Sequence, residues 1–163
     1  MVLGSELQPS GSRVTYLNDL EFNEAYNYAR DIGRQAATSV VDQAVTKDQS
    51  KIIDGFAGEI AFCKIHNCYL PKSSESRPWD VMIGGKTIDI KTTQIKRGLL
   101  LVKYATEFNP ADLYALIVGS GRRFEYMGYA TREQMFAKSS LGDLGYGPVW
   151  MLEQSDLNKE LIE

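Results

Sequence analysis

A pair of adjacent glycines constrains the fold of this chain more than any other feature of its sequence. Gly84 and Gly85 lie between two stretches in which apolar and polar residues alternate, as they do in β-strands with one buried face. Glycine adopts the positive φ angles that a two-residue primed turn requires, so the sequence predicts a tight β-hairpin. A turn of this length fixes the register, which places Asp80 opposite Asp89 as a non-hydrogen-bonded pair.

The two faces of this predicted hairpin differ in chemistry. Alternate side chains share a face, so Asp80, Asp89 and Lys91 project together while the neighbouring valine and isoleucines point to the core. Opposed carboxylates with β-carbons about 5 Å apart repel each other unless positive charge lies between them. Either Lys91 or a metal ion would supply that charge. Alternatively the cluster is structural and solvated, and the repulsion is then small.

A third acidic residue lies in a segment that is otherwise apolar. Glu59 follows Gly55-Phe56-Ala57-Gly58 and precedes Ile60-Ala61-Phe62, within a helix predicted from about Ser50 to His66. A glutamate among such residues is rarely buried without a partner. A hard cation held by several carboxylate oxygens would be a suitable partner.

These acidic residues, in this order, resemble the motif of a known enzyme superfamily. Glu59 in a Gly-x-x-Gly-Glu helix, then Pro78-Trp79-Asp80, then Asp89-Ile90-Lys91 is similar to the pattern of the PD-(D/E)xK nucleases, which include many restriction enzymes, junction resolvases, and repair and homing nucleases. The chain departs from the motif in one respect, since Trp79 separates the proline from the aspartate.

The resemblance implies a fold, a reaction and a set of site residues. The implied fold is α/β, restriction-endonuclease-like, with a mixed central β-sheet flanked by helices. The implied function is that of a divalent-metal-dependent endonuclease that hydrolyses DNA phosphodiester bonds, with Mg²⁺ or Mn²⁺ as cofactor. The implied metal ligands are Asp80, Asp89, the backbone carbonyl of Ile90, and Glu59. Lys91 would position the nucleophile and stabilise the transition state, so the implied catalytic residues are Glu59, Asp80, Asp89 and Lys91.

Any DNA-binding surface must come from local charge. The formal net charge of -3 gives no general attraction for nucleic acid, but residues 86–103 carry five cationic side chains against one acid. The candidate DNA contacts are Gln94, Lys96, Arg97, Lys103, Arg122 and Arg123. The alternatives are a surface or core-edge amide for the glutamine, edge protection for the lysines and solvated loop arginines.

The remaining pattern predicts one domain, residues 14–163, after a flexible lead of residues 1–13 that is rich in Gly, Ser and Pro. A long amphipathic helix should begin at Asn18 and continue to about Ala44. Further strands are predicted at 80–83, 86–93, 99–104, 112–118, 124–129 and 149–152, with an antiparallel meander opening the sheet and a hairpin loop at 119–122. Thr131 should cap a short helix that extends to about Ala137, and Ser155 or Asp156 should begin a terminal one.

The cysteines and the single histidine offer a weaker alternative site. Cys63, His66 and Cys68 could be soft metal ligands, but a structural zinc normally takes four and the chain has no further Cys or His. Two cysteines also do not make a secreted disulfide scaffold. We therefore expect buried thiols at a helix end, a protein of the cytoplasm (or of the host-cell cytoplasm if phage-encoded), and no membrane span.

We expect a homodimer or higher homo-oligomer, because relatives in the nuclease superfamily that cut both strands commonly are. Two other functions compete with the nuclease. One is a nuclease-like domain that binds nucleic acid without cutting it. The other is a structural or interaction protein in which Glu59 would point away from Asp80 and Asp89. The sequence leaves open whether the substrate is a duplex, a branched junction or a specific site, and whether RNA is cut.

Overall fold

The structure, a computed structural model, describes residues 13–36, 49–71 and 77–163. The helices are α1 (Asp19–Ala36), α2 (Gln49–His66) and α3 (Arg132–Met135). The strands are β1 (Arg13–Tyr16), β2 (Val81–Ile83), β3 (Lys86–Thr93), β4 (Leu100–Lys103), β5 (Leu113–Ser120), β6 (Arg123–Thr131), β7 (Leu141–Asp143) and β8 (Pro148–Leu152). Within the described residues, three 3-10 turns cover Tyr104–Phe108, Lys138–Ser140 and Gln154–Asp156.

The strands form two sheets. Five of them make a sheet in the order β1-β6-β5-β3-β2, and the other three pair as β4-β8-β7. The larger sheet is mixed, because β3 and β5 run parallel while its other neighbours are antiparallel. The prediction of an α/β fold with a mixed sheet and flanking helices is confirmed at this level. The predicted antiparallel meander is wrong after the first hairpin. β3 and β5 are parallel neighbours, which need a crossover connection. β4 lies within that connection but pairs in the second sheet.

The register of the glycine hairpin is confirmed over its regular part. Ile83 faces Lys86 and Val81 faces Ile88 across the turn. β2 begins at Val81, one residue later than predicted, so Asp80 lies just outside the strand. The backbone N–H of Asp80 donates to the carbonyl of Ile88 at 2.8 Å. Asp80 and Val81 therefore both lie against one residue, as in a β-bulge. The predicted ladder pair of Asp80 with Asp89 is wrong, although the two side chains still meet.

The central strand β5 is buried on both faces and separates two apolar cores. Leu113, Ala115 and Ile117 join the core under α1 and α2. Tyr114 and Leu116 join a second core with β4, β8 and α3. Since β3 pairs with β5 in parallel, Asp89 lies beside Tyr114, and its side chain projects toward the layer that contains β4.

Several predicted boundaries differ from the structure. Arg13, assigned to the lead, is the first residue of β1, which was not predicted, and neither was β7. Asn18 caps α1 as predicted, since its Oδ1 accepts from the N–H of Glu21 at 2.9 Å. The described part of this helix ends at Ala36, and its predicted continuation to Ala44 lies outside the described residues. Thr131 caps α3 with a full capping box, but the helix ends at Met135 rather than Ala137.

The predicted terminal helix is wrong. Residues Gln154–Asp156 form one 3-10 turn, and no helix follows in residues 157–163. Asn158 exchanges two backbone hydrogen bonds with Tyr129, at 2.8 and 2.9 Å. Pairing with an existing strand satisfies these backbone groups without the cost of nucleating a short helix.

Within the three described stretches of chain, none of the helices is both long enough and apolar enough to cross a bilayer.

A close approach between helix and sheet depends on one glycine of α2. A β-carbon at Gly58 would lie 2.0 Å from Oγ1 of Thr92 and 3.0 Å from its Cβ, whereas one at Gly55 would meet nothing within 4 Å. We predict that Gly58→Ala destabilises the fold by about 1–3 kcal/mol through overpacking. Gly55→Ala, the control in the same helix, should stabilise it by about 0.5–1 kcal/mol. Urea unfolding of both variants measures the difference, and equal effects would contradict this packing.

Candidate active site

The carboxylate of Asp80 is the centre of the site. Its Oδ2 accepts a hydrogen bond of 2.7 Å from the backbone N–H of Ile90. Because β2 begins only at Val81, the Asp80 side chain takes the place of the backbone partner that a longer strand would offer to β3. The same carboxylate lies within hydrogen-bonding reach of both Glu59 and Asp89. The three acids that the sequence singled out are therefore linked through Asp80.

Asp89 forms an ion pair within its own strand. Its residue is only 9% exposed, and its Oδ2 lies 3.0 Å from Nζ of Lys91. Residues two apart in a strand share a face, so the predicted proximity of these two side chains is confirmed. The lysine side chain is 40% exposed, which lets its ammonium group reach a ligand while it remains paired.

Glu59 approaches from the other side of the sheet. It belongs to α2, which packs on the core face of β3. Its carboxyl reaches Asp80, which lies just before the first residue of β2. Burial raises the pKa of Glu59 to about 9, and the charges of Asp80 and Asp89 add to the increase while Lys91 opposes it. At neutral pH Glu59 therefore carries a proton and donates it to the Asp80 carboxylate.

The pKa of Asp89 is also raised, to about 6. Burial is the largest cause, and Asp80 adds to it, while the ammonium of Lys91 lowers the pKa. Two carboxyl groups in this cluster thus bind protons more tightly than they would in water. Burial disfavours the ionised forms of both groups, and the neighbouring charge of Asp80 adds to this effect.

A cleft of ≈ 450 Å³ opens over Asp80, Asp89 and Lys91. Its walls carry two further cations, Arg77 and Lys103, and the uncharged polar side chains of Thr106 and Asn109. Lys103 was predicted to contact DNA, whereas Arg77 was not. The guanidinium of Arg77 lies 4.7 Å from the ring centroid of Trp79, which fixes its position beside the cleft. Its place three residues before Asp80 was the one signal in the sequence that would have found it.

The other predicted DNA contacts lie elsewhere. Gln94 donates to the buried carboxylate of Asp54, which also accepts from the N–H of Gly121 at 3.1 Å. This amide belongs to an exposed residue just after β3, which agrees with the alternative of a surface or core-edge amide. Lys96 and Arg97 are exposed in the turn that follows β3.

The two loop arginines also lie apart from the cleft. Arg122 pairs with Asp19 and its guanidinium lies 4.9 Å from the ring centroid of Phe22. Arg123 is the first, exposed residue of β6. The structure thus brings Lys103 to the acidic cluster but none of the other five candidate contacts.

Tyr28 of α1 lies close to the acidic cluster and was not predicted. Its ring stacks on Phe56, with centroids 4.2 Å apart, and Phe56 precedes Glu59 by one helical turn. Burial raises the pKa of the Tyr28 hydroxyl, and the charges of Glu59 and Asp80 raise it further. Nothing in the sequence shows which residue of α1 reaches this point, because the contact depends on how two helices pack.

The cysteines and the histidine face different neighbours. The thiols of Cys63 and Cys68 hydrogen-bond each other, an interaction that raises the pKa of Cys63 together with burial and lowers that of Cys68. The ring of His66 instead stacks on Phe62 at 3.9 Å between centroids, and its Nδ1 lies 3.0 Å from that residue's carbonyl oxygen. Burial lowers the pKa of His66 to about 4, so the ring is neutral at physiological pH.

Among the residues that the structure describes, no three His, Cys, Asp or Glu side chains form a ready-made metal site. Comparisons of this chain with protein-family models, with curated proteins and with solved structures find no match.

The raised pKa of Glu59 predicts a pH-dependent stability. Its ordinary pKa is 4.5 and the folded value is about 9, so between these values the folded chain holds a proton that the unfolded chain releases. Stability must then fall as the pH rises through this range. In Glu59→Gln this dependence is removed, so its free energy of unfolding should decline less than that of the wild type between about pH 6 and pH 9.

Urea unfolding in a metal chelator measures this difference. Glu24→Gln, at an exposed position of α1, is the matched control and should follow the wild type. A Glu59→Gln curve parallel to both would show that Glu59 is not buried against Asp80.

Proposed function

We propose that this protein is a divalent-metal-dependent endonuclease that hydrolyses DNA phosphodiester bonds, built on a restriction-endonuclease-like fold. The observation that carries the proposal is the position of Asp80, whose carboxylate lies beside both Asp89 and Glu59 under a cleft with cationic walls. Lys91 lies 3.0 Å from Asp89 in the same cleft.

The donor atoms of the cluster suit a hard divalent cation. All three acidic side chains offer oxygen, which Mg²⁺ and Mn²⁺ prefer over nitrogen and sulfur. The carbonyl of Ile90 is a further oxygen donor: the N–H of this residue points to Asp80, and the two backbone groups of one strand residue face the same side. Asp80, Asp89, Glu59 and this carbonyl are the proposed ligands.

The charge of the cluster also favours a cation. Asp89 and Glu59 bind protons more tightly than free carboxyls do, which is the response expected when like charges are buried together. A divalent ion would compensate this charge better than the single ammonium of Lys91 does. Bound there, it would polarise a phosphate oxygen and lower the pKa of a coordinated water.

The other side chains of the site have further roles in the proposed reaction. Lys91, paired with Asp89 yet 40% exposed, donates hydrogen bonds to the attacking water and to the charge that develops on phosphorus in the transition state. Arg77 and Lys103, on the walls, bind phosphates next to the scissile one. Glu59 holds the proton nearest to Asp80 and releases it when a cation binds.

A domain that only binds DNA would gain nothing from these acids. The two carboxyl groups that line the cleft, the half-buried Asp80 and the buried Asp89, repel phosphate and reduce affinity. Their presence beside the cations is explained if they hold a metal ion in contact with the phosphate, and this favours cleavage over binding alone.

The first test is cleavage. Wild-type protein with Mg²⁺ or Mn²⁺ should cut DNA, and Asp89→Asn and Lys91→Ala should each lose about 100-fold or more in rate, the usual cost of removing a group that stabilises transition-state charge. Lys86→Ala, an exposed lysine at the other end of the same strand, is the matched control and should retain activity. Gel assays of supercoiled plasmid, linear duplex, single-stranded and flap DNA measure the rates.

Two results would overturn the proposal. One is cutting by both variants at the wild-type rate, which would reveal a contaminating nuclease. The other is the absence of cutting on every DNA with both metal ions, which would leave a binding domain.

The second test is metal binding without DNA. A cation that binds the folded state raises its stability by RT ln(1 + [L]/Kd), about 1.4 kcal/mol at tenfold excess over Kd. The melting temperature of the wild type should therefore rise with Mg²⁺ or Mn²⁺, and Asp89→Asn should abolish most of the increase. Asp156→Asn, at an exposed position, should respond as the wild type does. A rise in melting temperature in Asp89→Asn equal to that of the wild type would show that the metal ion binds elsewhere.

A further inference from the structure

One wall of the cleft is the 3-10 turn Tyr104–Phe108, which follows β4. Ala105 and Thr106 of this turn line the cleft, as does Asn109 directly after it. The N–H of Asn109 donates to the carbonyl of Thr106 at 3.1 Å and closes the end of the turn. The wall is thus a short, hydrogen-bonded element.

Phe108 is the last residue of this wall and directly precedes Asn109, which lines the cleft. A 3-10 helix has three residues per turn, so side chains at positions i and i+3 are eclipsed. Phe108 is therefore on the same side as Ala105, which faces the cleft. Its residue is 77% exposed, an unusual state for the largest apolar side chain of the turn.

The turn that carries Phe108 is fixed at its other end. Tyr104 stacks on Trp150, with centroids 5.9 Å apart and planes 11° apart. The indole N–H of Trp150 donates to the carbonyl of Tyr104 at 3.1 Å, and Trp150 is itself buried in the second core. Phe108 is thus held out to solvent by a rigid support, and a ligand that stacks on it would not have to order the backbone first.

The charge of the cleft identifies the kind of ligand. Arg77, Lys91 and Lys103 attract anions, and Phe108, next to Asn109 of the cleft wall, offers a flat apolar face. A nucleotide has both a phosphate and a flat base, and stacking on an aromatic side chain contributes about 1–3 kcal/mol per base. In a continuous duplex the neighbouring base pairs cover both faces of each base, so only an unpaired or displaced base can stack in this way.

We infer that Phe108 is a stacking platform for an unpaired base next to the scissile phosphate, and that the substrate is DNA with unpaired nucleotides at the cut, such as a flap or a single strand. This inference rests on the proposed nuclease function of the same cleft. It adds the substrate class, which the acidic cluster alone does not determine.

The test measures binding, so that it does not depend on cleavage. Flap, single-stranded and continuous duplex DNA of matched length carry a fluorescent label and 2-aminopurine at the nucleotide beside the junction. Binding is followed by anisotropy with Ca²⁺ in place of Mg²⁺. Phe108→Ala should weaken flap and single-strand binding about tenfold more than duplex binding, and the quenching of 2-aminopurine seen with the wild type should be lost.

Two controls separate stacking from folding. Phe108→Trp keeps an aromatic face and should restore both affinity and quenching. Ile95→Ala removes an apolar side chain that is 68% exposed but lies in the turn after β3, and it should behave as the wild type does. A uniform loss on all three DNAs, or no loss on any, would overturn the inference.

The remaining outcomes are also decisive. Protein that binds flap DNA through Phe108 but cuts no DNA would refute the nuclease and retain the binding surface. Protein that cuts duplex faster than flap, with Phe108→Ala unaffected, would retain the nuclease and refute the surface. A change of oligomeric state in Phe108→Ala by light scattering, with DNA binding unchanged, would make Phe108 a contact between copies of the chain and refute the inference.

Discussion

The hydrogen bond from the N–H of Ile90 to the carboxylate of Asp80 determines most of the candidate site. It forms because β2 begins too late to offer the N–H of Ile90 a backbone partner. A buried N–H without a partner would cost about 1–3 kcal/mol. The bond holds the Asp80 side chain at the open edge of the sheet. From that edge the carboxylate reaches Asp89 on one face of β3 and Glu59 on the other. A residue in the regular ladder would present its side chain to one face only.

The two cores explain why such a cluster is tolerated. The core under α2 and the core around Trp150 bury apolar side chains on both faces of β5. Each fully buried side chain of this kind contributes about 1.5–3 kcal/mol, so together they offset the burial of like charges. Among the described residues, the cluster has one short ion pair, between Lys91 and Asp89. The acids therefore cost stability in the metal-free protein, as functional groups often do.

The sequence was sufficient where the interaction is local. The glycine turn set the register as far as Val81, and the period of two placed Lys91 beside Asp89. The position of Glu59 in an apolar helix was enough to predict a buried acid. The first residue of β2 was not predictable, because a bulge at Asp80 depends on backbone hydrogen bonds that the side-chain pattern does not encode. The two unpredicted neighbours of the cluster, Arg77 and Tyr28, depend on side-chain stacking with Trp79 and Phe56.

The remaining differences have a common physical origin in long-range pairing. The C-terminal segment has the polar start and apolar residues of a short helix, yet Asn158 pairs with Tyr129 instead, because an existing strand offers hydrogen-bond partners at once. Likewise β4 leaves the main sheet to bury Leu100 and Val102 against Trp150. That departure matters for the candidate site, because β4 ends at Lys103, which lines the cleft. The crossover places Lys103 and the turn before Asn109 across from Asp89, and so gives the acidic cluster an opposite wall.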